Sequence, residues 1–187
     1  DTSKVTAMAN IFSWLSVESF SFANWDTSKV GNMNYMLAGL PLDGWDITNL
    51  NTSSANNMSN MFESCTVTGN FDLSFFDVRK VTNMTNMFAK ANISDTIILD
   101  NWDLNHNATN ITYMFQGCKA QHISFKWKNT DKITSLKDTF NGCPNLVSLD
   151  FSSWDTTSLT NIQNTFMSCG KLAEVDLSSF DFRSKSV

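Results

Sequence analysis

A large apolar residue, usually phenylalanine, returns every 25 to 27 residues along this chain. The anchors are Phe12, Leu37, Phe62, Phe88, Phe115, Phe140 and Phe166, with spacings of 25, 25, 26, 27, 25 and 26 residues. A fixed period of this length describes a stack of one small unit. No single unit can bury its apolar side, so each must lean on its neighbours. We therefore read residues 1–187 as a single solenoid domain. Both ends fall inside a repeat, and the expectation is a fragment of a longer repeat array.

The half of the unit around each anchor has a helical spacing. Counting from the anchor, apolar residues stand at −7, −4, 0 and +3, as in Val81, Met84, Phe88 and Ala91. These offsets form one face of a short helix. Thr6, Thr82, Thr109, Thr134 and Thr160 precede that face and suit a helix N-cap. Gly39, Gly117 and Gly142 follow two residues after the anchor, where a left-handed helix stop is expected. A helix of about two turns is unstable alone and would rely on its neighbours.

The other half alternates. Leu149-Asp-Phe151, Val175-Asp-Leu177, Phe71-Asp-Leu73 and Ile97-Ile-Leu99 place apolar residues two apart, which reads as a short strand with one face inward. An aromatic residue followed by an acid comes next: Trp25-Asp26, Trp45-Asp46, Phe76-Asp77, Trp102-Asp103, Trp154-Asp155 and Phe180-Asp181. Trp127-Lys128 keeps the ring and loses the acid. The expected fold class is thus α/β: a leucine-rich-repeat solenoid of about seven turns, each with a short strand and a short helix, and a parallel sheet on one face. The strand half is shortened between Leu40 and Trp45 and between Cys118 and Trp127, where irregular strands are expected.

The stretches Asp26-Thr-Ser-Lys-Val-Gly-Asn-Met-Asn-Tyr-Met, Phe76-Asp-Val-Arg-Lys-Val-Thr-Asn-Met-Thr-Asn-Met-Phe and Leu149-Asp-Phe-Ser-Ser-Trp-Asp-Thr resemble the BspA-like surface-protein repeat, a leucine-rich-repeat family of about 26 residues per unit. The resemblance covers nearly the whole chain. It implies extracellular display, adhesion and binding of host or matrix proteins, and it brings no family active site. Lys128 in place of Asp, and the loss of Met after Met114, depart from the pattern.

Composition narrows the function classes. The 187 residues are 42% hydrophobic and 12% aromatic, enough for a packed core. Eighteen Asp and Glu face 13 Lys and Arg, for a net charge of −5, and no basic cluster offers a surface to nucleic acid. No apolar run reaches the roughly 18 residues of a membrane span. With His106 and His122 the only histidines, no Ser-His-Asp set can be argued and no Gly-rich loop cradles phosphate. We expect no enzyme activity and no cofactor.

Four sets of polar residues remain. The outward strand positions, by register, are Asn70 and Asp72, Thr96 and Ile98, His122 and Ser124, Ser148 and Asp150, and Glu174 and Asp176. The sheet face is the usual binding surface of repeat folds, so these are the binding candidates, set against a plain solvated face. Asp26, Asp46, Asp77, Asp103, Asp155 and Asp181 form an acid column read as a structural ladder of turn caps, preferred over a calcium column. Cys65, Cys118, Cys143 and Cys169 share one repeat position. The column reads as a ladder of small buried hydrophobes, with a disulfide between neighbouring turns geometrically conceivable and zinc disfavoured. Asn51, Asn57, Asn83, Asn92, Asn107 and Asn110 begin Asn-x-Ser/Thr triplets, glycan acceptors in a secreted eukaryotic protein. The functional expectation is an extracellular or cell-surface repeat module for adhesion, binding a protein or glycan ligand through the strand face. The alternative is a structural component that self-associates through its solenoid ends.

Overall fold

Residues 1–181 are described by a computed structural model. Among them the chain coils in parallel turns and contains no α-helix. Nine short strands form: β1 (Phe20–Ser21), β2 (Trp45–Asp46), β3 (Thr66–Val67), β4 (Phe71–Asp72), β5 (Asn92–Ile93), β6 (Thr96–Ile98), β7 (His122–Ser124), β8 (Ser148–Asp150) and β9 (Glu174–Asp176). The architecture is a parallel β-solenoid of about six turns. The α/β leucine-rich-repeat expectation, with a short helix in each of about seven turns, is therefore corrected.

The reason lies in where the backbone hydrogen bonds go. Around Phe62, the amides of Met58, Asn60, Phe62 and Ser64 donate to the carbonyls of Asn83, Thr85, Met87 and Ala89 on the next turn, at 2.9–3.0 Å. The intervening amides of Met61, Glu63 and Cys65 close back on the carbonyls of Met58, Asn60 and Phe62. The carbonyls of Ser59, Met61 and Glu63 accept from Tyr35, Leu37 and Gly39 of the preceding turn. Alternate amides thus leave the segment, and the rest form overlapping β-turns. An α-helix would keep its interior amides on carbonyls four residues back.

This conformation needs a left-handed residue two before and two after each anchor. The pairs are Asn10 and Trp14, Tyr35 and Gly39, Asn60 and Ser64, Asn86 and Lys90, Tyr113 and Gly117, Asp138 and Gly142, and Asn164 and Ser168, with φ between 53° and 74°. A positive φ at the third residue is the type II turn. Asn and Gly tolerate it most cheaply. Successive turns of this kind bring residues three and four apart to the same side, so Ala55, Met58, Phe62 and Cys65 are all fully buried. The apolar spacing was real; a helix was the wrong backbone for it.

The residues read as N-caps also work differently. The hydroxyls of Thr82, Thr109 and Thr160 donate to the carbonyls of Asn56, Val81 and Thr134 on the turn before. Local capping falls to the asparagines that follow. Asn32, Asn57, Asn83, Asn110 and Asn161 each accept the amide two residues on, at 2.9–3.1 Å. Such Asx turns compete with helix formation.

The strands join as the coil climbs. The main sheet has five parallel strands in the order β4-β6-β7-β8-β9. The pair β1-β2 stands apart from it, and β3-β5 forms a second small ladder. The break between β2 and β4 falls where Pro41-Leu-Asp-Gly44 shortens the strand half. At the other short turn β7 keeps its register with β6.

Aromatic columns fill the interior. Phe62, Phe88, Phe115 and Phe140 stack in series, with centroids 5.4, 5.3 and 5.2 Å apart and planes within 11°. Trp102, Trp127 and Trp154 form a second stack, at 5.6 and 5.0 Å. The Trp102 indole N–H donates to the Leu73 carbonyl at 2.9 Å and that of Trp154 to Phe125. Among the described residues, Trp127 Nε1 is buried without a hydrogen-bond partner, on the turn whose strand half lost residues. Trp102→Phe should therefore cost about 0.5–1.5 kcal/mol more than Trp127→Phe in urea unfolding, because only the former loses an indole hydrogen bond, the Leu73 carbonyl keeping the Phe76 amide. Gly39 and Gly117 occupy the same left-handed position, but a Cβ on Gly39 would lie 2.1 Å from the Trp14 ring, against 3.5 Å to Lys90 for Gly117. Gly117→Ala should cost about 1–2 kcal/mol, and Gly39→Ala about 1–3 kcal/mol beyond that, in the same assay.

Candidate surface on the strand face

Parallel pairing without register shift sets the outward residues in two columns. Thr96 pairs with His122, His122 with Ser148, and Ser148 with Glu174. Asp72 pairs with Ile98, Ile98 with Ser124, and Asp150 with Asp176. Asn70 lies just before β4, and its side-chain oxygen accepts the Thr96 amide at 3.3 Å. All ten candidates thus share one face. Asn70, Asp72, His122, Asp150, Glu174 and Asp176 are exposed, and Thr96, Ile98, Ser124 and Ser148 are half-buried.

The ten are not equivalent. Asp72, Asp150 and Asp176 accept the amides of Ser74, Ser152 and Ser178, two residues on, at 2.8–2.9 Å. They hold the turn that leaves each strand. Ser124 donates to Asp100 at 2.7 Å, and the same carboxylate oxygen accepts the Lys126 amide. By contrast, His122, Ser148 and Glu174 make no side-chain hydrogen bond among the described residues. A shallow cavity of about 330 Å³ lies in this part of the face, lined by His122, Ser124, Lys126, Ser148, Asp150 and Ser152. A second, of about 260 Å³, opens in the break between β2 and β4, beside Asp43, Asp46, Asn70, Asp72 and Phe75. Asp43, Asp100, Lys126 and Ser152 were not singled out from the sequence. They sit just outside the alternating segments, in the loops that the apolar pattern does not index.

The acid column faces elsewhere, at the corner after the sheet, where Asp26, Asp77, Asp103 and Asp155 each accept the amide two residues on, at 2.8–3.1 Å. Asp46 does not belong to it: it lies in β2, paired with Ser21 of β1, and accepts the Thr48 amide at 3.1 Å, while Asn51 takes the corner position, accepting the Ser53 amide and donating its own backbone amide to Thr27. Asp181 is exposed at the edge of the described residues. Hydrogen bonding holds the carboxyls of Asp26, Asp46, Asp77, Asp103, Asp155 and Asp176 below the ordinary Asp range: from Ser28, Thr48, Arg79, Asn129, Thr157 and Ser178 respectively. Stacking of like charge is relieved further by Arg79, bonded to Asp77 at 2.6 Å. Beneath the corner runs a column of buried threonines. Thr27, Thr52 and Thr130 each accept an amide from the next turn and donate to a carbonyl there. Val78 and Leu104 interrupt this column with apolar side chains.

The remaining candidates are scattered. Asn57 and Asn83 are half-buried within the Asx column, and Asn110 is exposed in it. Asn107 donates its amide group to the Arg79 carbonyl at 2.6 Å. Asn51 is exposed, with its oxygen held by Ser53, and Asn92 is exposed in β5. His106 pairs with Asp131 at 2.6 Å on the surface. Among the described residues, no three His, Cys, Asp or Glu side chains are grouped to hold a metal.

Since these Asp carboxyls ionise more readily in the folded chain, their stabilisation is full above the ordinary Asp range and is lost as pH falls through it. Stability in urea should be level between about pH 7 and 5 and decline below about pH 4. Asn at positions 26, 46 and 155 keeps an oxygen to accept the same amide and cannot titrate. That triple variant should show a shallower acid decline, and an unchanged decline would assign acid sensitivity to other groups.

No curated protein and no solved structure matches the chain. A family model, described as Mycoplasma protein of unknown function, DUF285, matches residues 1–102 and again residues 96–186. The match spans nearly the whole sequence, and the chain belongs to this family.

Proposed function

We propose that this member of the family is a non-enzymatic binding module, displayed outside the cell or on its surface, that takes hold of a protein or glycan through the five-stranded face. The observation that carries the reading is the pair of unshifted columns on that face. They offer polar groups at a regular spacing of about 4.8 Å on a scaffold already fixed by its own hydrogen bonds. A rigid surface of this kind loses little entropy on binding. The likeness of the repeat to BspA-like surface proteins supports extracellular display and adhesion. The shallow cavity beside His122 brings the Lys126 ammonium and the Asp150 carboxylate together along the columns.

The residues to test are those free of structural duty. Changing Asp72, Asp150 or Asp176 would remove a turn cap, so loss of binding there would be ambiguous. Ile98→Lys, His122→Ala and Glu174→Lys alter the face without touching a side-chain hydrogen bond. Combined, they should weaken binding to immobilised matrix proteins or a glycan array at least about tenfold, with circular dichroism unchanged. Equal binding by the triple variant, or no binding to either panel by the parent chain, would remove the strand-face reading.

A further inference from the structure

The corner that follows β7 is one residue shorter than those on either side. On the neighbouring turns two residues separate the last inward strand residue from the corner tryptophan: Asp100-Asn101 between Leu99 and Trp102, and Ser152-Ser153 between Phe151 and Trp154. On this turn Lys126 stands alone between Phe125 and Trp127. The Trp127 amide closes on the Phe125 carbonyl two residues back, at 2.8 Å, whereas Trp154 reaches three back, to Phe151. The interior does not register the loss. Phe125 still packs on Phe151 at 5.1 Å, and Trp127 still stacks between Trp102 and Trp154. The missing residue is therefore subtracted from the outer surface, and the shallow cavity of about 330 Å³ lies at that place. It is internal to the stack, with β6 before it and β9 beyond it.

The frame of this notch is held, and its outer side chains are free. Asp100 of the preceding turn accepts the Lys126 amide at 3.1 Å and the Ser124 hydroxyl at 2.7 Å, which fixes the short corner. Asp150 engages one oxygen with the Ser152 amide and keeps the other. The side chains of His122, Lys126, Ser148, Ser152 and Ser153, all in the lining, make no hydrogen bond or ion pair among the described residues.

This set matches an uncharged polyol. The ammonium supplies donors, the carboxylate supplies acceptors, and the serine hydroxyls and a neutral imidazole do both. A sugar hydroxyl also donates and accepts, so one ring can satisfy both kinds of group. An anion would meet Asp150 in the cavity and Asp100 beside it, and a cation would meet Lys126. A Trp or Tyr anchor from a protein partner requires a deep, desolvated pocket. Here the apolar lining, Ile123 and Phe125, is itself buried and the exposed side chains are polar. The volume is at the lower end for ligand pockets, about 300–1,000 Å³, which suits a single sugar ring.

We propose that the notch beside Lys126 is a glycan subsite that takes one uncharged hexose residue. Asp150 accepts from ring hydroxyls, and Lys126 and the serines donate to sugar oxygens. The proposal rests on the strand-face reading and narrows its ligand to a glycan.

The experiment titrates the whole isotope-labelled chain with the methyl glycosides of glucose, galactose and mannose, and with glucuronate and glucosamine as charged counterparts, while amide chemical shifts are followed. At least one methyl hexoside should shift the amides of residues 122–126 and 148–153 saturably, with a dissociation constant on the order of 1–10 mM. Both charged sugars should bind at least about tenfold more weakly. Lys126→Met keeps the stem and removes the ammonium, and it should weaken the hexoside about tenfold, the strength of one charge-assisted hydrogen bond. Insertion of one Asn between Lys126 and Trp127 restores the two-residue corner and should abolish the shifts, with circular dichroism unchanged. Tighter binding of either charged sugar, or full affinity in Lys126→Met, would overturn the proposal. Absent shifts, with partner binding that the combined Ile98, His122 and Glu174 variant still weakens, would remove the subsite and leave the strand face standing. Absent shifts, with partner binding that this variant leaves unchanged, would remove both.

Discussion

Every level of this structure depends on how the backbone divides its hydrogen bonds. In the segments around the anchors from Leu37 to Phe140, one amide bonds within the turn and the next reaches the adjacent turn. This alternation leaves few polar backbone groups idle, yet no turn is satisfied without its neighbours. It also fixes the distance between turns, which in turn sets the spacing of every side-chain column. The stacked phenylalanines, the asparagine caps and the registered strand face all follow from that one separation.

Polar side chains complete what the backbone leaves open. Buried Thr27, Thr52 and Thr130 serve as two-way connectors, accepting from one group and donating to another on the following turn. The corner aspartates tie down amides that would otherwise face solvent unpaired. Where the repeat length changes, this accounting fails visibly. The Trp127 indole keeps its place in the ring stack and loses the carbonyl that its neighbours reach. Ring packing evidently outweighs the cost of one orphaned N–H, of about 1–3 kcal/mol.

The period, the anchors and the pairing of the strand-face residues were legible from the sequence, because buried apolar side chains repeat whatever the backbone does. The backbone of the anchor segment was not. Offsets of three and four residues are shared by a helix and by consecutive type II turns, so periodicity could not separate them. The deciding signal was weaker: Asn10, Asn60, Asn86 and Asn164 two before the anchor, and Gly39, Gly117 and Gly142 two after it. Both sets favour positive φ, but only the glycines were read that way, and as helix stops. Tyr35, Tyr113 and Lys90 hold the same conformation, and no local preference of those residues would have announced it. On the strand face the sequence placed the columns, and could not show that the three aspartates among them are occupied by their own turns.

The threonine connectors and asparagine caps sit at equivalent points in unit after unit, and each turn presents nearly the same bonding pattern above as below. A turn is therefore close to a modular cassette. Excising one whole period in frame, between equivalent residues such as Asn83 and Asn110, would bring surfaces of matching pattern together. Length in such a protein is a quantity that recombination between its own repeats can change without redesigning the fold, so the reach of its surface can vary while its cross-section stays constant.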